Sequence, residues 1–243
     1  MNSWADVLKG PCSVINLDRN PQRWEDVQEK IIKAGFTNFE RFSAVDGKNP
    51  EVLKTVWEQL GNPSFASWDQ EFVQYPGKQG CFLSHVLLWK KIIDEKIPWM
   101  TVFEDDVLFH PKWNELAPQY FESTPKEFDV LYLGAQFEFY SQYHIDQGPI
   151  FCTHAMIVSY EGAKKLYDMC LKKIGGVYTV DCMIIDYIKQ KLIKKEDPYD
   201  FKWYVWNGRF FPTDMAIMDK GWTKRNSGLV FQDESYGSEV RQW

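Results

Sequence analysis

The stretch PWMTVFEDDVLF, residues 98–109, decides how the chain is read. An apolar run arrives at three consecutive carboxylates, Glu104, Asp105 and Asp106, and resumes with Val107, Leu108 and Phe109. Adjacent like charges repel, and burying even one unpaired carboxylate is costly. Side chains alternate faces along a strand, so an extended chain here puts Glu104 and Asp106 on one side and Asp105 on the other. Two hard oxygen donors then share the C-terminal edge of a sheet, where α/β proteins bind ligands. A divalent cation there relieves the repulsion, and magnesium and manganese commonly share carboxylates with substrate phosphates. The plainer alternatives are a solvated loop, or an acidic strand end that deters edge pairing. The apolar flanks TVF and VLF weigh against both.

Around this stretch, strand and helix patterns alternate. CSVINL (12–17) reads as a buried strand, followed by a helix start with Asn20 as N-cap and Pro21 at the first helical position. Trp24, Val27, Ile31 and Ile32 then recur at helical spacing up to Gly35. FERFSAV alternates like a strand and stops at DGKNP; a helix covers PEVLKTVWEQLG. Residues 61–79 are polar, aromatic and punctuated, which predicts a long loop. GCFLSHVLLWKKIIDEK returns to a helical period through Phe82, Val86, Trp89, Ile92 and Ile93. EFDVLYLG (127–134) and IFCTHAMIVS (150–159) read as strands, the second leading into a helix at EGAKKLYDMCLKK. From about residue 175 the pattern loosens to one helix near VDCMIIDYIKQK and a strand at FKWYVW. With no repeat and no linker, residues 1–243 are expected to form one α/β domain, a mostly parallel sheet flanked by helices.

The formal charge of −6 argues against a nucleic-acid binder, which carries a basic face. Small anionic ligands need only a local cationic pocket. Arg19 and Arg23, just beyond the first strand and near the start of its helix, are candidates for one. No GxxxxGK[ST] loop is present, which disfavours a P-loop ATPase. The 11 Trp, 12 Tyr and 17 Phe supply a heavily packed core, and some are available to line a groove for a base or sugar. Five cysteines without a CxxC spacing suggest neither a disulfide framework nor a zinc site, and fit a reducing compartment. The N-terminal segment lacks a basic stretch followed by an apolar one, and no apolar run approaches the ~20 residues that span a bilayer. The expectation is a soluble, cytoplasmic protein.

Several ordered segments resemble glycosyltransferase family 25, the family of bacterial lipooligosaccharide sugar transferases and collagen galactosyltransferases. They are VINLDRNPQRW (14–24), FERFSAVDG (39–47), GCFLSHVLLWKKI (80–92), VFEDDV (102–107) and HAMIVSYEGAKKL (154–166), with YTVD (178–181) as a shorter match. The resemblance implies a GT-A type fold, with a nucleotide-sugar-binding half over about 1–135 and an acceptor-binding half over about 136–243. It also implies transfer of a sugar from a UDP-sugar donor, typically UDP-galactose, to a glycan or hydroxylated protein, with inversion. By the same resemblance Glu104 and Asp106 become ligands of Mn2+ or Mg2+. Asn16, Asp18, Arg19, Arg23, Asp46, Gly80, Ser84, His85 and Asp105 fall on the nucleotide side. Two departures stand out: Thr179 where the family often has proline, and TKRNSG (223–228) in place of its usual C-terminal serine-aspartate segment.

Inversion requires a base opposite the leaving group. Asp181 and Asp186 are the candidates, Asp181 through the family motif; capping the following helix is the alternative role for Asp181. His85 reads either as a core histidine or as a ligand contact. His154 lies on a central strand, and His110 and His144 in loops; none is spaced with another as a zinc pair. Two other readings remain: a metal-dependent phosphoryl transferase or phosphatase, which needs a second acidic cluster that the sequence lacks, and a nucleotide-sugar-binding protein without turnover.

Overall fold

The computed structural model describes residues 1–61, 68, 70–137, 145–146, 150–171, 179–194, 200–206, 226–233 and 235. The elements run α1 (Trp4–Lys9), β1 (Cys12–Asn16), α2 (Pro21–Lys33), β2 (Phe39–Ser43), α3 (Pro50–Gln59), α4 (Gln70–Val73) and α5 (Pro76–Asp94). They continue β3 (Trp99–Glu104), β4 (Val107–Phe109), α6 (Trp113–Ser123), β5 (Val130–Phe137), β6 (Ile145–Asp146), β7 (Ile150–Ser159), α7 (Tyr160–Leu171), α8 (Val180–Ile193), β8 (Trp203–Trp206), β9 (Asn226–Gly228) and β10 (Val230–Gln232).

The main sheet has the order β2-β1-β3-β7-β5-β8-β6, with β9 added beside β5. Through their pairings β2, β1, β3, β5 and β8 all point the same way, and β7 is inserted antiparallel between β3 and β5. The sheet is thus mostly parallel in direction, as expected. Its strands alternate between two apolar layers. Ile15, Val102, Val130 and Val158 face one side with Leu53, Trp57, Phe82, Trp89 and Leu166 of α3, α5 and α7. Val14, Phe103, Leu131 and Ile157 face the other with Val7, Val27, Ile31, Trp113 and Tyr120 of α1, α2 and α6. A strand with both faces covered has no polar side to show, which is why CSVIN is buried at every position.

Three local departures from the sequence expectation bear on the site. α5 begins at Pro76, inside the stretch expected to be loop, with proline at the helix start where a missing N–H costs nothing. Asn20 precedes α2 but caps no amide with its side chain; its carbonyl instead accepts from the Asn16 amide at 3.2 Å. The chain leaves the extended conformation after Glu104, so residues 105 and 106 form a turn between β3 and β4. That turn is fixed from far along the chain: β10 pairs antiparallel with β4, and the Asp233 N–H donates to the Asp106 carbonyl.

Candidate functional site

β1 and β3 are parallel neighbours with Ile15 opposite Glu104, so Asn16 and the acidic turn emerge together at their C-terminal ends. A cavity of about 470 Å3 opens there. One wall is the start of α2 and the acidic turn, a second the 44–48 loop against the start of α5, and a third residues 151–153 of β7 with the start of α8.

The three acids are compensated in three different ways. Asp105 takes the Arg23 guanidinium at 3.0 Å and the Asn16 amide at 2.6 Å. Glu104 accepts from the Thr153 hydroxyl and meets His85 Nε2, both at 3.1 Å, with the Cys81 thiol at 4.0 Å. Burial raises the affinity of Glu104 for a proton, but the His85 hydrogen bond, the nearby histidines and Thr153 outweigh it, and its pKa is lowered. Asp106 is left worst off. Arg23 is 3.7 Å and the Gln232 amide 3.5 Å from its Oδ2, while its buried Oδ1 finds no hydrogen-bond partner in any other described residue. Burial, then the charges of Glu104 and Asp105, push its pKa up to about 8.

The turn changes how these carboxylates face. Strand alternation would put Glu104 and Asp106 together on one face; instead Glu104, the last residue of β3, turns to His85 and Thr153, and Asp106 turns to Arg23 and Gln232. They remain close enough for the charge of Glu104 to raise Asp106.

The second wall depends on contact between backbones. A Cβ on Gly47 would lie 1.6 Å from the Pro76 carbonyl oxygen, and one on Gly80 2.4 Å from that of Val45. Ser84 ties the same surfaces by accepting from Val45 N–H at 2.9 Å and donating to the Gly80 carbonyl at 2.7 Å. Arg19 pairs with Asp46 across the cavity mouth at 2.8 Å; burial works to raise the Asp46 pKa, but the Arg19 bond, the Lys48 N–H and the charges of both residues together lower it. Lys48, Tyr75 and Lys78 complete a cationic and aromatic rim.

On the third wall β7 bulges. Gly134 pairs with Ala155 but Gln136 with Phe151, so β7 uses more residues than β5 over the same span. Cys152 sits in the left-handed region at φ 70°, an uncommon conformation for a non-glycine residue. The bulge turns Thr153 to Glu104 and offers the Cys152 N–H to Asp181 Oδ2 at 3.1 Å. Asp181 Oδ1 accepts from the Cys182 N–H at 2.8 Å.

Beyond the geometry, the profile of glycosyltransferase family 25, described as an LPS biosynthesis protein family, matches residues 11–148, more than half of the chain. The chain belongs to glycosyltransferase family 25. Among family 25 relatives, a glycosyltransferase 25 family member of Aedes aegypti is 26% identical over 167 residues, covering 64% of this chain and 27% of that protein. A procollagen lysyl hydroxylase and glycosyltransferase of Acanthamoeba polyphaga mimivirus is 30% identical over 131 residues, covering 49% of this chain and 14% of the relative. A probable inactive glycosyltransferase 25 family member 3 of Bos taurus is 30% identical over 126 residues, covering 50% and 21%. The chain therefore spans less than a third of the length of these relatives.

Of the residues that the family 25 resemblance singles out, Asn16, Arg19, Arg23, Asp46, Gly80, Ser84, Glu104, Asp105, Asp106 and Asp181 all line the cavity. His85 lies behind Glu104, fully buried. Asp18 is not among the lining residues; its largely exposed side chain accepts from the Ser43 hydroxyl at 2.6 Å and stands 3.3 Å from Arg41. Asp186 is not among the lining residues; it is half-buried farther along α8. Asp181 falls in the first turn of α8, where the Cys152 bond makes it more than a local cap. His154 is buried against the Val230 carbonyl at 3.0 Å, and burial lowers its pKa. His144, Tyr178 and residues 223–225 lie outside the described residues.

Sequence reasoning missed Cys81, Thr153, Gln232 and Arg41. Arg41 is second support for the site: its Nε donates to Asn16 Oδ1 at 2.8 Å and so orients the amide that faces Asp105. Only Cys81 carried a readable signal, the C-x-x-x-H spacing with His85 on a helix. No helix among the described residues is long and apolar enough to cross a membrane.

Proposed function

We propose that the cavity binds a UDP-sugar together with Mn2+ or Mg2+ and transfers the sugar, galactose or a related hexose, with inversion to a hydroxyl of a glycan or a hydroxylated protein. The observation that carries this reading is the buried Oδ1 of Asp106, without a hydrogen-bond partner in any other described residue, on a wall shared with Glu104 and Asp105 in a family 25 chain. Oxygen donors of this kind suit a hard divalent ion, held by Asp106 and Glu104, and such an ion when bound supplies Lewis-acid stabilisation of the departing diphosphate.

The chain's own groups are assigned the remaining work. The 1–135 part binds the donor, with Arg19, Lys48 and Lys78 supplying positive charge near the phosphates and Tyr75 an aromatic face. Asn16 and Arg23 hold Asp105, and through it the turn that carries Asp106. Asp181 acts from the 136–243 side, its carboxylate aimed by the Cys152 and Cys182 amides. It takes the acceptor hydroxyl proton as the new bond forms at the anomeric carbon. The bond from that carbon to the phosphate oxygen breaks, and its electron pair leaves on UDP. The negative charge of Asp181 also stabilises the positive anomeric carbon before the proton moves.

A screen of UDP-sugars for hydrolysis and transfer, with Mn2+ and with chelator, tests the assignment. Metal-dependent release of UDP from one donor supports it. Binding of UDP plus Mn2+ without turnover of any donor supports instead a silent member, the state printed in the name of the bovine relative. A protein that neither binds UDP nor responds to the ion overturns both.

A further inference from the structure

We propose that Cys81, His85 and Glu104 form an exchangeable site for a thiophilic divalent ion such as Zn2+, which competes with the donor-site ion for Glu104. The site itself stands on geometry alone; only the competition rests on the donor reading above.

Cys81 and His85 are four apart on α5, so one helix face presents both to the end of β3. His85 Nε2 is 3.1 Å and Cys81 Sγ 4.0 Å from the same Glu104 Oε1, and the three ligand atoms all lie within 4.8 Å of one another. Tetrahedral zinc, with bonds of about 2.0–2.3 Å, spaces its donor atoms roughly 3.3–3.7 Å apart. The imidazole–carboxylate pair is already near that spacing, and the thiol must turn about Cα–Cβ to reach it. One sulfur, one imidazole nitrogen and one carboxylate oxygen suit Zn2+ far better than Mg2+ or Mn2+. Cys81 and Glu104 line the cavity, so the fourth position opens to water or to a ligand phosphate. On binding, the thiol proton leaves to solvent and the sulfur lone pair forms the bond.

The second shell sets the strength. Thr153 donates to Glu104 at 3.1 Å and so orients its carboxylate, while its 3.2 Å contact with His85 Nε2 is given up when that nitrogen binds the ion. His85 Nδ1, buried, has no hydrogen-bond partner among the described residues, whereas a tightly held metal histidine usually donates its second N–H to an acceptor. An ion here is therefore exchangeable and not a permanent structural one. Glu104 cannot serve this ion and the donor-site ion fully at once, so zinc acts as an inhibitor.

The test uses the full chain, reduced, without nucleotide, titrated with Co2+ as a spectroscopic stand-in for zinc. The expected result is a near-ultraviolet thiolate-to-cobalt charge-transfer band at one ion per chain, bleached by Zn2+. Cys81→Ser should abolish the band, and His85→Gln should weaken Co2+ binding by more than the roughly 10–100-fold that a second-shell change costs. Asp106→Asn should leave the band in place while removing the Mn2+ response of UDP binding, so the two metal readings fail separately. Absence of the band overturns the proposal, as does a band that survives in a folded Cys81→Ser protein, because the sulfur is then another of the five cysteines. A Cys81→Ser protein that melts far below the wild type shifts the decision to His85→Gln, where unchanged Co2+ affinity also overturns it.

Discussion

Asp106→Asn should make the metal-free protein more stable, and by an amount that depends on pH. The carboxyl is raised from 3.8 to about 8 on folding. The folded state therefore holds the proton more tightly than the unfolded chain does. The contribution of this carboxyl is full below pH 4, and it is lost progressively as pH rises toward 8. At pH 7 roughly three pH units separate solution from the unfolded value; at about 1.4 kcal/mol per unit the penalty is about 4 kcal/mol. This is an upper limit, because shifts of Glu104 and Gln232 relieve part of the repulsion. At pH 5 the same reckoning leaves less than about 2 kcal/mol. Asparagine keeps the shape and carries no charge. In EDTA at pH 7.5 the variant should melt above wild type by about 5–15 °C, at about 2–4 °C per kcal/mol for a chain of this size, and the gap should shrink at pH 5. Mn2+ with UDP should reverse the order, since ligand binding to the folded state stabilises only the protein that holds the ion. Scanning calorimetry across pH, with and without Mn2+, reads all of this. A variant no more stable than wild type in EDTA, or a gap independent of pH, refutes the claim that Asp106 is an uncompensated buried acid.

Asp181→Asn should lower turnover about 10²–10⁴-fold while leaving UDP affinity nearly unchanged, whereas Asp186→Asn, off the cavity, should have little effect on turnover. Steady-state kinetics with UDP titration checks both, and equal losses in the two variants count against the assignment. Arg23→Met leaves Asp105 and Asp106 without their guanidinium partner and should cost about 3–5 kcal/mol at pH 7, read by urea unfolding in EDTA. A change below 1 kcal/mol would show the pair to be unimportant. Gly47→Ala forces a methyl group against the Pro76 carbonyl oxygen and should cost about 1–3 kcal/mol while weakening UDP binding, measured by denaturation and calorimetry.

The layers of the fold were legible because they rest on local periodicity. Val14 and Ile15, or Val102 and Phe103, are neighbours in sequence that point into opposite apolar layers, and a run of such residues reads directly as a strand covered on both sides. The acidic turn was legible as a site because three carboxylates at a strand end need an explanation. Its internal geometry was not. Alternation holds only while the chain is extended, and the pairing that bends it, β10 on β4 with Asp233 against Asp106, joins positions more than a hundred residues apart. The bulge at Cys152–Thr153 is set by β5, and no pattern within IFCTHAMIVS announces it. α1 was missed despite a local signal, Ser3 and Asp6 in a capping box. The end of the stretch 61–79 misled for another reason: its polar and aromatic composition suggested a loop, yet Pro76 starts a helix there, while residues 62–67 and 69 lie outside the described residues.

The way the three acids are compensated argues for a site that responds to one ion and not merely a negative patch. Asp105 is committed to Arg23 and Asn16, and Asn16 is in turn held by Arg41, so its charge is consumed in fixing the turn. Glu104 is held ionised by His85 and Thr153 from the other side. A cluster meant only to deter edge pairing would expose its acids to water; here Oδ1 of Asp106 is buried, with no partner in any other described residue, at a position fixed by two backbone ladders. Arg23 stands 3.7 Å from Asp106 and 3.0 Å from Asp105. The fold thus neutralises the carboxylates that build the turn and leaves Asp106, a cavity-lining residue, the least compensated of the three, which is the arrangement the proposed cation would complete.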